Sequence, residues 1–208
     1  VSETLDSLGH FLDYVHDHGL PVTDQLSLDT PEQVEGALEA LREHGVVSRF
    51  DGGPETVYSI EPDQHLAAAY YRNTIIHFFV TGSITEVALL AAAHAEGDRE
   101  AAFWDEVMAL RDLLKFEFFF SPTKEFEDEI REEIARYRVG DATPDGPVSV
   151  DIDSMMPAKS PIVLRPFLEA YYVVASALRT FGDEPVTPRH LLHLLLLDQP
   201  GLRLGLLD

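Results

Sequence analysis

In ETLDSLGHFLDYVHDHG, apolar residues recur three or four positions apart, so Leu5, Leu8, Leu12 and Val15 share one face of a predicted helix that Gly19 closes. LDTPEQVEGALEALREHG predicts a second helix, with Thr30 as N-cap and Pro31 in the first helical position. Val34, Leu38 and Leu41 form its apolar stripe and Gly45 ends it. The period then changes: VVSRF, DGGPE and TVYSI read as strand, glycine-rich turn and strand. A helix feeding a short hairpin is the pattern of a winged helix, and it bounds a first unit at residues 1–62.

From residue 63 the pattern is helical throughout. DQHLAAAYYRNTIIHFFV predicts one helix, and SITEVALLAAAHAEG a second, opened by a capping box of Ser83 and Glu86. DREAAFWDEVMALRDLLKFEFFF predicts a long third, capped by Asp98 and anchored by Trp104, Met108, Leu114 and Phe118. After Ser121 and Pro122, PTKEFEDEIREEIARYR lines Phe126, Ile130, Ile134 and Tyr137 along one face, with acidic residues on the other. These helices make the first part of a bundle, residues 63–138. Residues 139–160, rich in Pro and Gly and without periodicity, read as a long loop. Residues 161–208 supply the second part of the bundle, through IVLRPFLEAYYVVASALRTFG and PRHLLHLLLLDQPG, the latter capped by Thr187. The expected fold is mainly α: a helical bundle with an N-terminal winged-helix-like unit carrying one small β-hairpin.

Composition narrows the function. The 208 residues are 45% hydrophobic and 25% charged, an ordinary globular balance, and the absence of cysteine excludes disulfides and thiolate metal sites. No basic leader with an apolar core is visible at the start, which suggests a chain cut from something longer. The apolar stretches are interrupted by Arg72, Asn73 and His77, and by Arg165 and Glu169, so no transmembrane span is expected. The net charge of −22 repels nucleic-acid phosphate and anionic lipid alike. Winged helices often bind DNA, but residues 1–62 hold 13 acidic side chains against Arg42 and Arg49 alone. The helix that would enter the groove carries four Glu and one Arg. Phosphate contacts dominate DNA affinity, so the unit is read as a packing or dimerising one and no nucleic-acid partner is expected.

Three blocks, DQHLAAAYYRNTIIHFFV, LRDLLKFEFFFSPTKEFEDEI and LRPFLEAYYVVASAL, resemble the C-terminal portion of bacterial glycerol-3-phosphate 1-O-acyltransferases, in particular the long, actinobacterial-type members. ALEALREHGVVSRFDGGPETVYSI fits the same region, so the likeness covers most of residues 28–180. The resemblance implies a part of an enzyme that transfers an acyl group from acyl-CoA or acyl carrier protein to the sn-1 hydroxyl of glycerol 3-phosphate. That step begins phospholipid synthesis at the inner face of the cytoplasmic membrane. The family's catalytic half carries a His-x4-Asp pair and an Arg-rich motif resembling F-x-x-E-G-x-R-S-R. Neither is expected here, so the chain is read as an accessory region. Its first partner would be an upstream catalytic domain of the same polypeptide, and the parent enzyme would sit peripherally at the inner membrane. No cofactor is implied.

One match to His-x4-Asp does occur, in HLLLLD, where His193 precedes Asp198. Nine His and 18 Asp in this chain make about 0.8 such pairs expected by chance. Five helical steps also turn the side chain by about 500°, which points the two residues apart. A general base needs its carboxylate within hydrogen-bond reach. The pair is therefore read as packing, and no catalytic residue is assigned.

Other polar residues stand out against apolar helices. Tyr71, Arg72, Asn73 and His77 form one cluster, with Asn73 and His77 at i and i+4. The first reading is an inter-domain anchor, with Arg72 bonded to a carboxylate or a helix end. The second is a face that closes the back of the active site in the full enzyme, and the third is catalysis by His77. Arg165 and Glu169 form a second i, i+4 pair, read as structural, either a mutual ion pair or a bond to the neighbourhood of Arg72. The FEFFF run is read as core in preference to an acyl-chain surface. His16 with His18, and His190 with His193, lack a third ligand, so no metal is expected. The alternative to an accessory region is a non-enzymatic winged-helix dimerisation or interaction module that does not bind DNA.

Overall fold

A computed structural model describes residues 2–23, 28, 30–53, 55–137, 159–179 and 185–188. The architecture is mainly α with a single small hairpin among the described residues, as the two periodicities predict. The chain divides into two units, Val1–Ile75 with Ala170–Asp208, and Ile76–Glu169. The proposed loop at 139–160 falls outside the described residues except for Lys159 and Ser160, as does nearly all of PRHLLHLLLLDQPG.

In the first unit, α1 (Ser2–Asp17) is closed by Gly19 at φ +57°, the left-handed conformation that glycine adopts without steric cost. Helix α2 (Pro31–Glu43) begins at a capping box: the Thr30 hydroxyl accepts from the Gln33 amide, and the Gln33 side chain accepts from the Thr30 amide. Gly45, at φ +72°, ends it. Val34 is buried on α2, as are Val46 and Val47 in the approach to the hairpin. Strands β1 (Ser48–Phe50) and β2 (Val57–Ser59) pair antiparallel, with Arg49 opposite Tyr58.

One carboxylate ties hairpin to helix. Glu39 on α2 accepts from Arg42 at 2.6 Å, Arg49 at 2.8 Å and the Tyr58 hydroxyl at 2.7 Å. The Tyr58 bond and then the two guanidinium bonds hold its carboxyl down to about 2. After a 3-10 turn at Pro62–Gln64, α3 (His65–Ile75) follows; none of its residues is buried.

The second unit is a helical cluster. A 3-10 turn at Ile76–Phe79 leads into α4 (Val80–His94), followed by α5 (Arg99–Leu114) and α6 (Thr123–Tyr137). The short α7 (Ser160–Val163) packs on α4, and α8 (Arg165–Arg179) begins in this unit. Ile84 and Ala88 of α4, Phe103, Val107 and Leu114 of α5, Phe126 and Ile130 of α6, and Leu164 are completely buried together in the core. Asp98 caps α5 as predicted, its carboxylate accepting the amides of Glu100 and Ala101, each at 3.1 Å.

Three expectations are corrected. The Ser83–Glu86 capping box does not form: α4 starts at Val80, directly from the 3-10 turn, so both residues lie inside the helix and are fully buried. On α5 the buried stripe is Phe103, Val107, Leu110 and Leu114, whereas Trp104 and Met108 are only half-buried. Trp104 packs edge-on against Phe103, with the Arg131 guanidinium 4.9 Å over its ring. The FEFFF run is core only in part. Phe118 meets Phe167, and Phe120 meets Phe126, but Phe116 and Phe119 are exposed because α5 has ended and the chain is turning.

The helical run Pro62–His94 includes Arg72, Asn73 and His77, which interrupt its apolar sequence and not its helical course. By length and composition it could cross a membrane, yet 61% of its apolar window is buried inside the fold, as in a core helix.

Candidate functional site

The polar cluster centres on α3. Arg72 is half-buried, and its Nε and Nη2 both donate to the Asn73 side-chain oxygen at 3.2 Å. Among the described residues no carboxylate lies within ion-pair distance of it, and the side chain bonds the neutral amide of its neighbour. Tyr71 and Asn73 are exposed, and Tyr71 stands edge-on to Tyr70 with ring centroids 5.9 Å apart. His77 is exposed in the second unit, its ring 4.0 Å from that of Phe78. The 3-10 turn beginning at Ile76 interrupts the helical phase that had linked Asn73 to His77 by sequence spacing.

Arg72 also lines a cavity. His65, Ala68, Ala69 and Arg72, at i, i+3, i+4 and i+7, form one stripe of α3, and with Ile60 they bound a space of about 410 Å³. Sequence reading singled out Arg72 here and missed His65. The signal was available, since residues seven apart share a helical face and the two between them are alanines.

Arg165 and Glu169 do pair, at 2.6 Å, as their spacing predicts. The bond raises the Arg165 pKa, and with both side chains more than half exposed it is a solvated surface pair.

The strongest polar constellation was not anticipated. Glu86 is completely buried, yet its carboxylate accepts the Ser160 amide at 2.7 Å and the Tyr137 hydroxyl at 3.2 Å, and pairs with Lys159 Nζ at 2.7 Å. Lys159 also donates to the Tyr137 hydroxyl at 3.0 Å. The carboxylate thereby joins α4, α6 and the start of α7, residues 74 apart in sequence. Its acceptors face inward onto protein donors, so its work is to anchor α7.

Of the histidine pairs, His18 is committed locally: its Nδ1 lies 2.7 Å from the Tyr14 carbonyl and its ring stacks on Tyr14 at 3.7 Å. Among the described residues no three His, Asp or Glu are grouped to hold a metal ion. His190, His193 and Asp198 lie outside the described residues.

Comparison with known proteins supplies the context for these features. The family model described as the glycerol-3-phosphate acyltransferase C-terminal region matches residues 2–197. Proteins of Mycobacterium bovis and Mycobacterium tuberculosis, each named as an acyltransferase, plsB1, are 35% identical over 191 residues. The match takes in 88% of this chain but only 31% of the length of those relatives. No solved structure matches the chain significantly.

Proposed function

This chain belongs to the glycerol-3-phosphate acyltransferase C-terminal region family, and we propose from that membership that it serves as the accessory region of an enzyme acylating the sn-1 hydroxyl of glycerol 3-phosphate. The observation that carries this reading is the family match across residues 2–197. In it, acyl-CoA or acyl carrier protein is the donor, and the parent enzyme works peripherally at the inner face of the cytoplasmic membrane. The acid–base chemistry belongs to an upstream domain, which this chain supports through its surface.

Exposed apolar side chains support such a surface. In the first unit Leu66, Tyr70, Tyr71 and Ile75 of α3 and Tyr172 and Leu178 of α8 face outward. A helix that buries none of its own residues while presenting these groups is suited to being covered by a partner. The relatives, more than three times as long as the matched region, have the additional chain to do so. Covering α3 with an upstream domain would make Tyr71, Arg72 and Asn73 an inter-domain anchor.

The test is acyl transfer from acyl-CoA to labelled glycerol 3-phosphate, run with this chain alone, with its His193→Ala variant, and with the chain joined to an upstream region of a relative. Transfer is expected only in the joined protein, and Tyr70→Asp with Ile75→Asp should lower it. Turnover by the chain alone, abolished by His193→Ala, would overturn the accessory reading. A monodisperse dimer indifferent to the upstream region would point to the interaction module instead.

A further inference from the structure

In the second unit, the turn between α5 and α6 holds two phenylalanine rings in water. Leu114, Phe118 and Phe120 point inward, the last two onto Phe167 and Phe126. Leu113, Phe116 and Phe119 point outward, with Phe116 84% exposed and Phe119 wholly so. The backbone that carries them is fixed. The Glu117 and Phe118 amides donate to the Leu114 carbonyl at 2.9 and 3.0 Å. Arg111 lies over the rings of Phe120 and Phe126 and donates from Nη2 to the Ser121 carbonyl at 2.9 Å. The Ser121 hydroxyl in turn donates to Glu129 at 2.5 Å. Phe119 buries nothing in this unit, and Phe116 carries only Lys115 Nζ, 5.6 Å from its ring centroid. A covered aromatic side chain buries about 150–250 Å², so this is apolar area held ready on a turn already ordered, which lowers the cost of binding.

Charge selects the occupant. Residues 111–129 hold six acids against three bases, in a chain of net charge −22. A second copy would bring the same charge against this turn, and an anionic lipid surface would repel it as well. The complementary surface is a protein face with an apolar pocket and Arg or Lys around its rim. The match takes in only 31% of the mycobacterial relatives, so more than two-thirds of their length is chain that could supply such a face. We propose that Leu113, Phe116 and Phe119 form a knob that seats in an apolar, basic-rimmed pocket of the upstream domain. The knob rests on the accessory reading above, and adds to it a docking point on the second unit and the chemistry of the face that receives it.

The joined protein of the acyl-transfer test, given a protease site at the junction, is folded whole and then cut, and the Kd of its two parts is measured. The parts should stay associated, and Phe116→Ser with Phe119→Ser should raise Kd by about tenfold or more. Added salt should raise it too, because the rim contacts are charged. Both rings are exposed, so this chain alone should unfold in urea at the same midpoint with and without the two substitutions, which separates lost docking from lost folding. An unchanged Kd in the double variant would overturn the knob, as would a Kd indifferent to salt. If Tyr70→Asp with Ile75→Asp still raises Kd in that case, the accessory reading survives and the knob alone fails. Parts that do not associate would also overturn it, and acyl transfer by the uncut protein then decides whether the accessory reading falls with it. The double variant is compared as well in binding to phosphatidylcholine vesicles and in sedimentation of the chain alone. Vesicle binding or a dimer that the substitutions abolish would assign the rings to lipid or to a second copy, and would overturn the proposal.

Discussion

Glu86 and Glu39 show how differently two carboxylates act in one chain. Glu86 is sealed in the second unit, where it holds the Ser160 amide and pairs with Lys159. Removing one member of a buried pair costs about 3–5 kcal/mol. Glu86→Ala should therefore lower the free energy of unfolding in urea by an amount of that order, and the loss should extend to protection of α7 amides from exchange. Glu39 acts at the surface. Its carboxyl, held down to about 2 by Tyr58, Arg42 and Arg49, titrates at 4.5 when free of those partners. A lowered carboxyl contributes stability that is complete above 4.5 and declines as pH falls toward 2. The attachment of the β1–β2 hairpin to α2 should weaken over that acid window, seen in the Tyr58 ring resonances, and Glu39→Gln should abolish that pH dependence.

At the scale of the element, helix ends and buried stripes set stability. The Thr30 and Asp98 caps satisfy amides that α2 and α5 leave open, and replacing either with Ala should cost about 1 kcal/mol in urea unfolding. The aromatic residues around α5 give a sharper contrast. Phe103 is completely buried, so Phe103→Ala should cost about 3–5 kcal/mol. Phe119 is fully exposed after the helix has ended, so Phe119→Ala should stay within about 0.5 kcal/mol. Both are apolar residues in one predicted helix, and composition does not tell them apart. What separates them is where α5 stops, and that is set by the turn that carries the chain from Leu114 into α6.

At the scale of the molecule, charge and apolar surface act together. The net charge of −22 destabilises the compact state by self-repulsion, so the melting temperature should rise as salt is added, until screening is complete. Duplex DNA should give no mobility shift at physiological salt. The exposed residues of α3 should bind a hydrophobic dye, and Tyr70→Asp with Ile75→Asp should reduce that signal without loss of helical circular dichroism.

Most helices and the hairpin among the described residues, the Thr30 and Asp98 caps, the glycine stops and the Arg165–Glu169 pair were legible in the sequence. Each depends on residues within a few positions of one another, where local geometry leaves few choices. The family likeness was legible for a related reason: blocks in a fixed order survive in a linear text. Only the tertiary structure decided which residues those elements bury. The stripe of α5 moved by one residue because burial follows the neighbouring helices, and period alone does not choose the phase. Glu86 looked like a helix cap until its partners arrived from Tyr137, Lys159 and Ser160, far along the chain. The groove of His65 and Arg72 needed Ile60 beside it before two basic residues on one helix became the walls of a cavity. Burial and pairing between distant segments are set by close packing in three dimensions, and no window along the sequence contains both partners.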